Sequence, residues 1–207
     1  MIRAVLFDID GVLLDSLKAN TEHYQRAFSH FGYAPPAEKD LAEVHHMPAK
    51  RFIRYYLPTI SDEQVERVFE YLQSLPQRQE LFEVPKDATE TVRSLSTKYR
   101  LAAVSARTHA AMEGVLTFLD IRSFFEVLVG FEDTTVHKPD PEPLLVAARR
   151  LKVNPDECVY VGDMQADIDA ARAAGMKMIH YSTEVVSGSH KTVSRFQDIV
   201  TIIRALG

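Results

Sequence analysis

Short apolar runs rich in β-branched residues alternate along the chain with segments whose apolar residues recur at helical spacing. The apolar runs predict strands at about 2–7, 100–104, 125–129, 157–161 and 177–181. Strands that alternate with helices in this way usually pair in parallel and are covered by helices on both faces. The pattern therefore predicts an α/β fold, a doubly wound parallel sheet.

One long segment, residues 16–83, interrupts the alternation because it shows helical spacing and no convincing strand. Ser61 and Gln64 have the spacing of a capping box that opens one of its helices. Prolines divide the segment into about four helices. We therefore expect an all-helical cap domain at 16–83, inserted into a core that is formed by 1–15 and 84–207.

Two further signals mark helix ends in the core. Asp140 followed by Pro141 is typical of an N-cap before a proline at the first helical position. Gly175 is well placed to end the helix that contains the sequence DIDAARAA.

Composition narrows the classes of partner. The 207 residues are 46% hydrophobic, enough for a large core, and the formal net charge of -5 disfavours nucleic-acid binding. The apolar runs are shorter than the ~20 residues that span a bilayer, and the first one meets an acid too early for a signal peptide. The single cysteine, Cys158, favours a reducing compartment. We expect a cytoplasmic monomer or weak dimer with neither a membrane nor a nucleic-acid partner.

Polar residues follow the predicted strands at the points where the apolar runs end. Ligands of open parallel sheets bind at the carboxyl ends of the strands, so these side chains should meet at one edge. The residues are Asp8, Asp10, Ser105, Lys138, Asp163 and Asp167. Clustered carboxylates are costly unless a cation offsets their charge, and oxygen ligands of this kind suit Mg²⁺. The set predicts a magnesium-assisted site for phosphoryl chemistry.

Each of these signals alone also has an ordinary structural explanation. An Asp-x-Asp after a strand can cap a helix, and Ser105 can cap a helix that begins near Arg107. Lys138 can be a common loop lysine, and Asp163 can be a turn acid. Their joint occurrence, in this order and each at a strand end, favours a functional site.

Four motifs resemble those of the haloacid dehalogenase superfamily, specifically its phosphatase branch with a helical cap, which includes phosphoglycolate phosphatases and β-phosphoglucomutases. The motifs are DIDGV at 8–12, Ser105, Lys138 followed by Pro139, and GDMQAD at 162–167. The resemblance spans nearly the whole chain and implies the same α/β core with an inserted cap.

The resemblance also implies roles for the acids. Asp8 would be the nucleophile that forms an aspartyl-phosphate, in agreement with the ability of a carboxylate to split ester hydrolysis into two steps. Asp10 would protonate the leaving alcohol and then activate water. Mg²⁺ would be bound by Asp8, Asp163 and the backbone carbonyl of Asp10.

The remaining core residues would handle the phosphoryl group. Ser105 and the backbone amide of Ala106 would donate to its oxygens, and Arg107 would also contact the substrate. Lys138 would offset the clustered negative charge, and Asp167 would orient Lys138 or a metal-bound water.

The identity of position 10 narrows the activity that the resemblance implies. Family members that cleave carbon–halogen or carbon–phosphorus bonds lack an aspartate at this position, and ion pumps carry threonine. Asp10 therefore favours hydrolysis of a small phosphorylated metabolite, as in phosphoglycolate phosphatases.

The expected cap carries a basic segment. Lys50, Arg51 and Arg54 occupy neighbouring helical positions, and His45 and His46 precede them. A cationic face could bind the far end of an anionic substrate, although a solvated helix face explains the same pattern. We expect Arg51, His45 and His46 to contact substrate.

Of three alternatives to a phosphatase, the first remains open. A phosphosugar mutase of the β-phosphoglucomutase type shares every core residue named above. A receiver domain also places acids, a hydroxyl and a lysine at strand ends, but its acceptor acid follows a later strand and it lacks an inserted cap. A catalytically silent relative would have lost one of the motif residues, and all are present.

Overall fold

The computed structural model describes residues 1–42, 44, 47–183 and 188–206. The chain divides into two compact units, one formed by Met1–Leu14 with Val84–Gly207 and the other by Asp15–Glu83. Asp15, which the sequence assigned to the core, belongs to the second unit.

The first unit contains a six-stranded parallel sheet within the part of the chain that the structure describes. Its strands are β1 (Ala4–Phe7), β2 (Arg100–Val104), β3 (Val127–Val129), β4 (Cys158–Gly162), β5 (Lys177–Tyr181) and β6 (Lys191–Val193). The spatial order is β3-β2-β1-β4-β5-β6. The chain therefore begins in the middle of the sheet, adds β2 and β3 on one side of β1, and then adds β4, β5 and β6 on the other side, so the strand order reverses between β1 and β4. This reversal is the topological switch point at which α/β proteins bind ligands.

The described helices cover both faces of the sheet or form the second unit. They are α1 (Leu17–His30), α2 (Glu38–Ala42), α3 (Ala49–Tyr56), α4 (Asp62–Ser74), α5 (Ala88–Ser96), α6 (His109–Phe118), α7 (Glu142–Leu151), α8 (Gln165–Ala173) and α9 (Asp198–Leu206). Helices α7 and α8 pack together, as do α5 and α9.

Side-chain alternation along β1 shows how the two faces of the sheet differ. Ala4 and Leu6 belong to the apolar cluster that includes the buried residues of α7 and α8. Phe7 points to the other face, where its ring lies 6.2 Å from that of Phe196, just before α9. Because both faces of β1 are buried, its sequence is uniformly apolar. The predicted doubly wound α/β fold class is confirmed.

The second unit has its own apolar core. The buried residues of α1, α3 and α4 form one cluster that includes Phe28, Phe52 and Val68. The predicted capping box is present, since Ser61 Oγ accepts from the amide of Gln64 and the Gln64 side chain accepts from the amide of Ser61. Among the residues described, 15–83 contain four α-helices, as the proline spacing predicted.

Some boundaries differ from the sequence-based prediction. Strands β1 and β3 each begin two residues later than expected, within the usual uncertainty of strand ends. Helix α7 spans Glu142–Leu151, and Pro141 before it already has helical dihedral angles. The side chain of Asp140 accepts from the amide of Glu142 at 2.9 Å, which is the contact expected of the predicted N-cap. The sequence analysis missed β6, a three-residue edge strand with no apolar run. Within the described residues, no helix is long and apolar enough to cross a membrane.

Candidate active site

Asp8 follows the last residue of β1 at the carboxyl edge of the sheet. Its amide donates to the carbonyl of Val161 in β4 at 2.9 Å, which extends the strand pairing by one residue. The side-chain Oδ1 accepts from the amide of Ile9 at 2.7 Å. Only 6% of the residue is exposed. The carboxylate is therefore buried and held in one orientation.

A tight loop follows Asp8 and requires a glycine. The carbonyl of Ile9 accepts from the amides of Leu13 and Leu14, and the amide of Gly11 donates to Leu14 at 2.9 Å. Gly11 has a φ of +76°, in the left-handed region, and a Cβ there would lie 2.1 Å from Oδ2 of Asp163. The loop therefore passes directly against the Asp163 carboxylate.

Ser105 and Arg107 lie beyond β2 at the same edge. The amide of Ser105 donates to the carbonyl of Val129 at 3.0 Å, and its Oγ accepts from the amide of Arg107 at 3.3 Å. Thr108, and not Ser105, caps α6, because its Oγ1 accepts from the amide of Ala111. The structure thus excludes the helix-cap explanation for the Ser105 hydroxyl.

Lys138 uses all three of its N–H donors inside the site. Its Nζ lies 2.6 Å from Asp8 Oδ2, 2.7 Å from Asp167 Oδ1 and 2.8 Å from the hydroxyl of Tyr160. Burial acts to lower the pKa of Lys138, but the charges of Asp167 and Asp8 outweigh it and hold this pKa well above the usual value. The ammonium therefore stays charged and compensates two buried carboxylates.

Asp167, on the first turn of α8, accepts four hydrogen bonds. Its Oδ2 accepts from the amides of Asp163 and Met164, and its Oδ1 accepts from Lys138 and from the hydroxyl of Tyr160. Burial acts to raise the pKa of Asp167, yet Lys138 and these hydrogen bonds outweigh it and lower the pKa. The carboxylate is therefore ionised and holds the Lys138 ammonium by a direct contact.

For two other acids, the surroundings do not fully compensate the charge of the ionised form. Burial raises the pKa of Asp163 to about 9, with additional repulsion from Asp167 and Asp8. Burial also raises the pKa of Asp8 to about 7, although Lys138 acts in the opposite direction. Oxygens of Asp8, Asp163 and Asp167 lie within 4.8 Å of one another. Since Asp167 already accepts four bonds, Asp8 and Asp163 are the carboxylates whose chemistry and placement fit Mg²⁺.

Asp10 and Arg107 form an ion pair that the sequence analysis did not anticipate. Nε of Arg107 lies 2.7 Å from Asp10 Oδ2, and Nη2 lies 2.7 Å from Asp10 Oδ1. The structure therefore places Arg107 on the second acid of the DIDGV motif. Ala106, between Ser105 and Arg107, is partly buried.

Two further residues of the site were missed. Tyr160 is fully buried on β4, and its hydroxyl connects Lys138 to Asp167. His180 ends the apolar part of β5, and its Nε2 lies 2.8 Å from the backbone carbonyl of Asp163. The available signals were weak: a tyrosine in the middle of the apolar β4 and a histidine at the next-to-last position of β5.

In the second unit, two of the three basic residues on α3 are engaged by acids. Nζ of Lys50 lies 2.7 Å from Glu66, and Arg54 forms an ion pair with Asp62. Both pairs join α3 to the beginning of α4. The charges of Lys50 and Arg54 are therefore neutralised by acids within this unit.

Of the three residues expected to contact substrate in this unit, the structure describes one. Arg51 is exposed on α3, whose neighbouring residues Phe52 and Ile53 are buried. His45 and His46 lie outside the described residues.

Comparison with known proteins agrees with the geometry. The family model for haloacid dehalogenase-like hydrolases matches residues 5–181. A phosphoglycolate phosphatase from Xylella fastidiosa is 32% identical over 84% of this chain and 77% of that protein. A phosphorylated carbohydrates phosphatase from Thermotoga maritima is 29% identical over 86% of this chain and 84% of that protein.

The fold is also that of a solved relative. The crystal structure of β-phosphoglucomutase from Clostridium difficile matches with a TM-score of 0.80 and 21% identity, covering 100% of this chain and 97% of that one. The family match extends from β1 to the end of β5, and so includes all four motifs at the sheet edge. The chain belongs to the haloacid dehalogenase-like hydrolase family, as its motifs indicated.

Proposed function

We propose that this chain is a Mg²⁺-dependent phosphatase that hydrolyses small phosphate monoesters through an aspartyl-phosphate on Asp8. The observation that supports this most is the buried Asp8 carboxylate, 2.6 Å from the Lys138 ammonium at the carboxyl edge of the sheet. The two relatives described above are named phosphoglycolate phosphatase and phosphorylated carbohydrates phosphatase, which supports the same reaction class.

In the first step, the Asp8 carboxylate attacks phosphorus and the ester bond between phosphorus and the leaving oxygen breaks. Asp10 donates its proton to that oxygen, which leaves as an alcohol. The hydroxyl of Ser105 and the amide of Ala106 donate to the phosphoryl oxygens, while Lys138 offsets the negative charge. The products are the alcohol and a phosphorylated Asp8.

In the second step, water attacks the phosphorus of the aspartyl-phosphate. Asp10, now a carboxylate, accepts a proton from this water, and the bond between phosphorus and the Asp8 oxygen breaks. Inorganic phosphate leaves, Asp8 is again a carboxylate, and Asp10 is again protonated. One water is consumed and no other reactant is needed.

Asp8 and Asp163 would hold Mg²⁺, together with the backbone carbonyl of Asp10. The bound cation would offset the negative charge of the carboxylates and of the phosphoryl oxygens. The raised pKa values of Asp163 and Asp8 support this assignment, because they indicate carboxylates whose ionised forms need further compensation. His180 would keep the Asp163 backbone in place through its 2.8 Å contact.

The proposal is tested by measuring phosphate release from a panel of phosphorylated metabolites with Mg²⁺ and with a chelator. Asp8→Asn keeps the shape of the side chain but removes the nucleophile, so release should fall to background. The exposed Asp156 provides a matched control, and Asp156→Asn should retain wild-type turnover. Near wild-type release by Asp8→Asn would rule out the proposed nucleophile.

The intermediate has its own test. With 4-nitrophenyl phosphate, whose leaving group needs little proton donation, Asp10→Asn should still form the aspartyl-phosphate but break it down slowly, because no base remains to activate water. Acid-quenched protein would then show the mass increase of one phosphoryl group on the peptide that contains Asp8. A phosphorylated peptide elsewhere in the chain would contradict the assignment.

A phosphosugar mutase remains the alternative, because the same core residues would serve it. Sugar phosphate supplied with a catalytic amount of the sugar bisphosphate separates the two activities. Isomerisation without phosphate release would establish the mutase, and stoichiometric phosphate release would establish the phosphatase.

We also propose that Arg51 contacts the substrate, since its charge is exposed on α3 while acids engage Lys50 and Arg54. Arg51→Gln should then raise KM more than it lowers kcat. His45 and His46 remain proposed contacts on the sequence alone, and their alanine variants belong in the same assay.

We further propose a cytoplasmic location and a monomeric or weakly dimeric state. The buried, unpaired thiol of Cys158 supports a reducing compartment. Light scattering during size-exclusion chromatography would test the oligomeric state.

A further inference from the structure

The pair formed by Arg107 and Asp10 fixes a carboxylate at two points. Both contacts are 2.7 Å, and the exposed fractions of the two side chains are 10% and 14%. A planar guanidinium that donates two parallel hydrogen bonds fixes both the position and the rotation of a carboxylate. A lysine at the same position would supply the charge but leave the rotation free.

Arg107 is itself held by the backbone around it. Its carbonyl accepts from the amide of Phe131 at 2.8 Å, and its amide donates to Ser105 Oγ at 3.3 Å. A Cβ at Gly130 would lie 2.9 Å from the Arg107 carbonyl oxygen, so the absence of a side chain permits this close approach. The guanidinium therefore extends from a braced loop that also carries Ser105.

Asp10, by contrast, lies on the loop that follows β1. The next residue, Gly11, has a left-handed φ of +76°, and the chain reverses within the following three residues. A carboxylate on such a loop gains precision from an external contact, and catalytic groups lose rate steeply when their orientation is loose.

We propose that Arg107 is a positioning residue that aims the Asp10 side chain at the leaving oxygen, as the carboxylic acid, and then at the attacking water, as the carboxylate. The inference rests on the proposed function, in which Asp10 is the general acid and base. It differs from the expected contact between Arg107 and substrate, because Arg107 acts through Asp10. Loss of Arg107 should therefore slow the chemical steps and leave substrate binding nearly unchanged.

The test uses Arg107→Gln and Arg107→Lys with two substrates of different leaving group, an alkyl phosphate and 4-nitrophenyl phosphate. For the alkyl phosphate, kcat should fall about a hundredfold in Arg107→Gln, the usual scale of general acid–base catalysis. For 4-nitrophenyl phosphate the rate of the first step, read from the burst of 4-nitrophenolate, should fall about tenfold or less, since this leaving group needs little proton donation. KM should stay within about threefold for both, and Arg107→Lys should show a smaller loss of kcat.

A second arm tests whether Arg107 acts through Asp10. In the Asp10→Asn background, Arg107→Gln should cause no further loss of kcat, because the group that it positions is already gone. The pair of Arg195 and Asp198 is the matched control, a two-point pair with contacts of 2.9 and 2.8 Å at the surface. Arg195→Gln should leave kcat and KM unchanged for both substrates.

Circular dichroism and thermal melting test whether each variant is folded. If Arg107→Gln is unfolded, the kinetics of Arg107→Lys are compared with those of the wild type instead. A rise in KM with kcat unchanged would overturn the proposal and assign Arg107 to the substrate. An equal loss in the first-step rate for both leaving groups, or a full additional loss in the Asp10→Asn background, would also overturn it. Absence of wild-type activity towards every phosphate monoester would instead overturn the proposed function.

Discussion

Nζ of Lys138 lies 2.6 Å from Oδ2 of Asp8, although the two residues are 130 positions apart in the chain. The ammonium also contacts Asp167 at 2.7 Å, so one buried cation is shared by two carboxylates. Only 9% of the Lys138 side chain is exposed, and little solvent screens these charges. The pair therefore sets both the charge and the orientation of the proposed nucleophile.

Removing the Lys138 charge should abolish catalysis. Lys138→Met keeps most of the aliphatic volume but leaves Asp8 and Asp167 without their shared cation, so kcat should fall by about a hundredfold or more. Lys138→Arg should also be impaired, because a planar guanidinium cannot reproduce three donors from one nitrogen. Phosphate release under saturating substrate measures both. Lys98→Met, at an exposed position after α5, is the control and should retain wild-type kcat.

The sequence predicted the sheet and the residues at its edge for a clear physical reason. Strands buried on both faces must be apolar throughout, so the acid after Phe7 and the acid after Gly162 mark the strand ends unambiguously. Parallel pairing then brings these ends together, whatever the intervening loops do. Asp8 and Asp163 could therefore be placed at one edge of the sheet from the sequence pattern.

Contacts within the site were not predictable in the same way. Tyr160 and His180 lie within apolar strands, where their polar atoms are inconspicuous among hydrophobic neighbours. The pair of Asp10 and Arg107 depends on side-chain rotation and on the braced loop at Phe131. No repeating pattern of hydrophobic and polar residues signals either feature. Strand β6 was missed because an edge strand with an exposed lysine lacks an apolar run.

Asp167→Asn should destabilise the first unit as well as impair activity. The amide would present N–H donors to a position where Asp167 now accepts from four donors, and it would leave Lys138 with one fewer anion. Breaking a buried pair by removing one partner typically costs about 3–5 kcal/mol. Denaturant unfolding measures the loss.

Asp169→Asn, two positions along the same helix, is the matched control. Asp169 pairs with Arg172 at the surface, and exposed pairs contribute about 0.5 kcal/mol or less. If the two variants lost equal free energy of unfolding, the buried contacts of Asp167 would contribute no more to stability than an exposed ion pair.

Gly11→Ala should lower activity through backbone strain and a steric clash. An L-residue at a φ of +76° is strained, and the new Cβ would lie 2.1 Å from Asp163 Oδ2. Either the loop or Asp163 must shift, and a shift of about 1 Å in a catalytic group can cost about a hundredfold in rate. Kinetics at several Mg²⁺ concentrations would measure the loss and show whether it includes weaker metal binding.

The same substitution at Gly114 should have the opposite effect, a gain in stability with no loss of activity. Gly114 lies on the exposed side of α6, and a Cβ there would meet nothing within 4 Å. Alanine in a helix is favoured over glycine, so stability should rise by about 0.5–1 kcal/mol with activity unchanged. Wild-type kinetics in Gly11→Ala would show that the loop does not constrain the site.

Binding of Mg²⁺ should strengthen as pH rises. Without the cation, burial raises the pKa of Asp163 from 3.8 to about 9 and that of Asp8 from 3.8 to about 7. The folded chain then holds protons that the unfolded chain has already lost, so its stability falls as pH rises from the unfolded value through the folded ones. A cation that requires the ionised carboxylates must displace these protons, and the competition weakens with pH.

Thermal melting with and without Mg²⁺ at about pH 6 and about pH 8.5 measures this linkage. The increase in Tm caused by Mg²⁺ should be larger at the higher pH, and calorimetric titration near neutral pH in two buffers of different ionisation enthalpy should detect proton release. Asp163→Asn removes the carboxylate with the larger pKa shift, so it should weaken binding and reduce the number of protons released. An affinity for Mg²⁺ that is constant over this pH range would show that neither Asp8 nor Asp163 binds the cation.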